Sequence, residues 1–65
     1  MAHYRVSLAT GSDVTFEDET GQLHVARTLS GTPPLGAVFH GVIPARGFAT
    51  LLNATSPSIF RVIVE

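Results

Sequence analysis

Apolar residues return at every second position through much of this chain, and that rhythm limits what it can fold into more than any motif does. Period-two alternation belongs to a strand with one face buried, whereas a helix needs a spacing near 3.6. From His3 to Ala9, the residues Tyr4, Val6 and Leu8 share one face, and His3, Arg5 and Ser7 the other. Asp13 to Glu17 alternates again with Val14 and Phe16 facing one way. Ile59 to Glu65 sets Phe60, Val62 and Val64 against Ile59, Arg61 and Ile63. Turn formers stand between these stretches. Thr10-Gly11-Ser12 favours a tight reversal, and Asp18-Glu19-Thr20-Gly21 is an acidic turn whose glycine can take the positive φ of a hairpin.

The other segments follow the rhythm less cleanly. In Gln22 to Leu29 the alternation places Leu23 and Val25 inward, and Arg27 then interrupts that face, which predicts a strand end or a bulge there. Ser30 to Gly36 reads as a rigid surface connection, because Pro33 and Pro34 remove two backbone donors between glycines. Ala37 to Ile43 is apolar on both sides, with Ala37, Phe39 and Ile43 opposed to Val38, His40 and Val42; Gly41 within it allows the bend a small barrel needs to close. Pro44 to Asn53 fits two periods. Ala45, Phe48, Ala49 and Leu52 have helical spacing, but Gly47 weakens a helix interior by about 1 kcal/mol, so a strand over Phe48 to Asn53 is preferred and a short helix near 45–53 is the alternative. A turn is expected at Thr55-Ser56-Pro57-Ser58. The expectation is one all-β domain over residues 1–65, built as a small antiparallel barrel or a two-layer sandwich of five to six short strands.

A chain of 65 residues with no cysteine has little with which to stabilise such a domain. Small domains bury only about 60% of the surface their unfolded chains expose, and disulfides, metals or association commonly supply the rest. No Cys/His spacing here has the form of a structural zinc site. Only 14% of the residues are charged, against about 25% in an average domain, and mean hydropathy is +0.31. Too few charges are present to coat an isolated small sphere, which predicts a homo-oligomer that covers part of its apolar surface with copies of itself. No apolar run is long enough for a membrane-spanning helix, and Met1 to Val6 lacks the pattern of a signal peptide. A cytoplasmic location without membrane contact is therefore expected, association with a larger particle being the other option.

Little in the chain points to chemistry. The glycines form neither a dinucleotide fingerprint nor a phosphate loop, and no G-x-S-x-G elbow is present. No cofactor is expected. His3, His24 and His40 are distant in sequence, although neighbouring strands could bring two of them together. The acidic run from Asp13 to Glu19 has no calcium-loop spacing. The best binding candidate is Pro44-Ala45-Arg46-Gly47-Phe48, where Arg46 and Phe48 can offer a charged fork beside a stacking face; Arg27 and His40 complete the candidate set. Three functions follow. The first is a non-enzymatic interaction or assembly module that binds a protein partner. The second is a ring-forming small barrel that binds RNA or single-stranded DNA through repeated Arg5, Arg27, Arg46 or Arg61, although the net charge is −1 and lysine is absent. The third is an enzyme with sites at subunit boundaries, where His24 or His40 would be the base.

Overall fold

The structure is a computed structural model in which residues 2–29, 31–55 and 58–65 are described. Six strands form: β1 (Ala2–Thr10), β2 (Asp13–Asp18), β3 (Leu23–Thr28), β4 (Val38–Gly41), β5 (Gly47–Asn53) and β6 (Ile59–Val64). Every pairing is antiparallel, and the sheet closes on itself in the order β1-β2-β3-β6-β5-β4. The barrel, not the sandwich, is the architecture, and no helix occurs among the described residues. Closure removes the open edges that a small sheet would otherwise present.

The interior is filled by rings. Phe39 and Phe60 stack at 5.1 Å, Phe16 meets both edge-on, and Tyr4 meets Phe16 in the same way. Val6, Val14, Leu51 and Val62 pack around them, all essentially inaccessible. The Tyr4 hydroxyl reaches the barrel end, where it accepts a hydrogen bond from the Ile43 amide at 3.2 Å, so the one polar atom on these rings is satisfied.

Two face assignments from the sequence are corrected. In β1 the pairing steps from Val6↔Phe16 to Leu8↔Thr15, which makes Ser7 the extra residue of a bulge. The bulge reverses the alternation, so Leu8 points outward at 56% exposure while Ala9 packs on the core. In β3 the parity is the reverse of the expected one: Leu23 and Val25 are exposed, and Ala26 is buried. Arg27 lies on the solvent side of the second-last position of β3, so the expected strand end falls one residue beyond it and no bulge occurs there.

The segment that fitted two periods is a strand. Gly47 opens β5 with φ +109, which no helix uses, and β5 runs beside β6 along its whole length from Gly47↔Val64 to Leu52↔Ile59. On its other side Gly41 of β4 comes close enough that a Cβ there would lie 2.7 Å from Leu51 Cδ2. The helical alternative would forfeit these ladders. In the loop before β4, Pro33 is buried, and it borders a shallow hollow with Phe39, Ile59 and Phe60. Ser30, Ser56 and Pro57, on which parts of the expected loop and turn fall, lie outside the described residues.

Candidate functional site

Register decides which outward side chains meet. Ile63 of β6 is the partner of Arg27 on β3 and of Phe48 on β5, so Arg27, Ile63 and Phe48 form one row across three strands. Val25 stands beside that row, lining a hollow of about 190 Å³ with Asp13, Ala26, Arg27, Ile63 and Glu65. One turn of the ladder further along, Leu52 pairs with Ile59, and Thr50 with Arg61 lies between the two apolar pairs. Phe48 is 75% exposed and Val25 62%, values that leave most of each side chain in water. Arg27 is tied to Glu65 at 3.0 Å, which holds its guanidinium at the border of the apolar row.

Of the four candidate binding residues, the structure therefore joins two directly. Arg27 and Phe48 share the row, and Arg46 lies in the bend just before β5, two residues from Phe48. His40 lies off the Arg27–Ile63–Phe48 row, beside Leu52. It pairs with Leu52 on one side and with His3 on the other, and its ring meets the His3 ring at 4.3 Å between centroids. Ile63 and Val25 were missing from the candidates, although Arg27 carried the clue: a charged residue two positions from Val25 marks the solvent face of a short strand.

A second, polar region lies over β1, β2 and the β2–β3 turn. An open groove of about 500 Å³ is lined by His3, Arg5, Glu17, Asp18, Glu19 and Val38 among others. Its charges are matched internally. Arg5 Nη2 donates to Glu17 Oε1 at 2.6 Å, the backbone amide of His3 donates to Glu19 Oε1 at 3.0 Å, and His3 Nδ1 lies 3.3 Å from the same oxygen. These bonds from His3 hold the Glu19 carboxyl below the usual carboxylate range.

Asp18 organises the hairpin. Its Oδ1 accepts from the Thr20 amide, the Thr20 hydroxyl and the Gln22 amide at 2.9, 2.6 and 3.0 Å, while Oδ2 faces His24 Nε2 at 2.8 Å. His24 in turn sets its ring edge-on to Tyr4. The His24 bond, then the Thr20 hydroxyl and the backbone amides, lowers the Asp18 pKa. A histidine oriented by a carboxylate is half of an acid–base arrangement, but every hydrogen bond of this carboxylate serves the turn, so the pair is a clasp on the β2–β3 hairpin. Among the described residues, no three His, Asp or Glu side chains converge as a metal-ligand set, and no helix is long and apolar enough to cross a membrane. Comparison with protein-family models, curated proteins and solved structures finds no match to this chain.

Proposed function

We propose that this protein is a non-enzymatic assembly module, which associates with copies of itself through the outward face of β3, β6 and β5 and meets a protein partner with the rest of its surface. The observation that carries this reading is the outward pair of Phe48 and Ile63 with Val25 beside it, and the second apolar pair of Leu52 and Ile59 beyond Thr50 and Arg61, on a barrel whose core is already filled. Among the described residues nine large apolar side chains are exposed and eight are buried. An aromatic and aliphatic centre bordered by arginine has the composition of an interface core with its rim.

Magnitudes favour a shared face over an isolated contact. Burying one large apolar side chain contributes about 1.5–3 kcal/mol, whereas association costs roughly 4–15 kcal/mol in lost freedom and ordering. Phe48 alone is insufficient; several neighbours buried together suffice. The nucleic-acid reading draws less support, because Arg5 and Arg27 are matched by Glu17 and Glu65, which weakens a cationic track. The test is native mass across a range of protein concentrations. Masses above that of one chain at micromolar concentration are expected, and a single-chain mass at every concentration overturns the reading. Affinity of the associated form for RNA that falls steeply as salt rises would replace it by the second function.

A further inference from the structure

We infer that His3 and His40 form a two-imidazole clamp for a late first-row divalent cation, which staples β1 to β4. The two residues are direct partners across these strands, so both side chains leave the sheet on the same outer face, and their rings meet at 66° with centroids 4.3 Å apart. Metal–nitrogen bonds of about 2.0–2.1 Å at a tetrahedral angle put two ring centres roughly 5 Å apart. The rings thus need to separate by only about 1 Å, which side-chain rotation supplies for a pair at the surface.

Glu19 sets up the donor atoms. Its carboxylate accepts hydrogen bonds and donates none, so the contact with His3 Nδ1 at 3.3 Å requires the proton on Nδ1 and leaves the lone pair on Nε2. The His3 backbone amide fixes the same carboxylate oxygen, which keeps it in place. A carboxylate behind a histidine is the outer-shell arrangement that orients metal-bound imidazoles. Glu19 therefore acts on the ion through His3, and water completes the coordination, in keeping with the lack of a third direct ligand among the described residues. Imidazole donors suit Zn2+, Ni2+ and Cu2+ and not calcium or magnesium. The location gives the ion a use: β1–β4 joins strands far apart in the chain, and this chain has no disulfide to hold them.

The experiment is calorimetric titration of Zn2+ into the whole chain carrying a Gly-Ser extension before Met1, which keeps the terminal amine out of the reaction. Imidazole nitrogen–proton correlation spectra of the same samples report which rings respond. Saturable binding is expected, with the His3 and His40 ring signals moving together, the His24 signals unmoved and the thermal midpoint raised. Either His3→Gln or His40→Gln is expected to weaken binding about tenfold or more, and Glu19→Gln to weaken it while leaving both rings responsive. The proposal is overturned if His40→Gln binds as tightly as the native chain, if only one of the two rings responds, if His24 responds with them, or if no binding heat appears at millimolar Zn2+. The spectra of the unsubstituted protein decide the matter even if a variant folds poorly.

Discussion

Gly41 of β4 packs against Leu51 of β5 with no room for a side chain, and its backbone is held at φ +151, a conformation side chains disfavour. An added Cβ would stand 2.7 Å from Leu51 Cδ2 and 3.4 Å from the Thr50 carbonyl oxygen. Leu51 is fully buried and cannot swing away freely. Gly41→Ala is accordingly expected to cost about 1–3 kcal/mol through strain and overpacking, measurable as a lower urea midpoint with unchanged slope. Asp18 acts in the same residue-scale way through its charge. Its folded pKa lies below the ordinary value of 3.8, so the ionised form is the one the fold favours. The stability it contributes is complete above that value and is lost as pH falls below it. Urea midpoints taken down through pH 4 should therefore decline, and Asp18→Asn should show a shallower decline than the native chain over the same range. Equal declines would show that the clasp is not what acid releases.

At the scale of elements, legibility depended on whether one face of a strand differs from the other. β2 and β6 were readable, since Val14 with Phe16, and Phe60 with Val62, form buried faces opposite less buried ones. β3 was not, because Leu23 and Val25 are more apolar than His24 and Ala26, yet the latter face inward. His24 is accommodated there by Asp18, and Ala26 by the limited space beside the ring cluster. Only Arg27 signalled the true parity. The bulge at Ser7 left no trace either, since a serine in that place fits the outward face of an uninterrupted strand. The parity of β3 has a direct test. Val25→Thr should change stability by no more than about 0.5 kcal/mol, whereas Ala26→Leu, forced into the filled interior, should cost about 1–3 kcal/mol. The opposite ranking in chemical unfolding would reverse the assigned faces. The His3–His40 contact was illegible for a different reason: it depends on which distant strands pair, and alternation says nothing about strand order.

For the whole molecule, compactness and surface character separate. The barrel exposes 4066 Å², close to the roughly 4000 Å² that surface scaling assigns to a monomer of this mass. The chain has thus folded as tightly as an ordinary small protein, and its exposed apolar groups are a property of the sequence and not of loose packing. Low charge in the composition already pointed to that surplus; where it gathers required the β3–β6–β5 register. A carboxylate placed in the gathering point gives the discriminating variant. Phe48→Glu is expected to shift native mass toward the single chain while leaving the fold intact, because the Phe48 side chain points away from the core. Leu35→Glu is the matched control, since Leu35 is 67% exposed but lies in the loop bonded to β1, off the β3–β6–β5 face. If mere exposed apolar area drives association, both variants lower the mass alike. If the row formed by Ile63 with its two cross-strand neighbours is the contact, only the Phe48 variant does, and its circular dichroism and cooperative melt stay native while its self-association is lost.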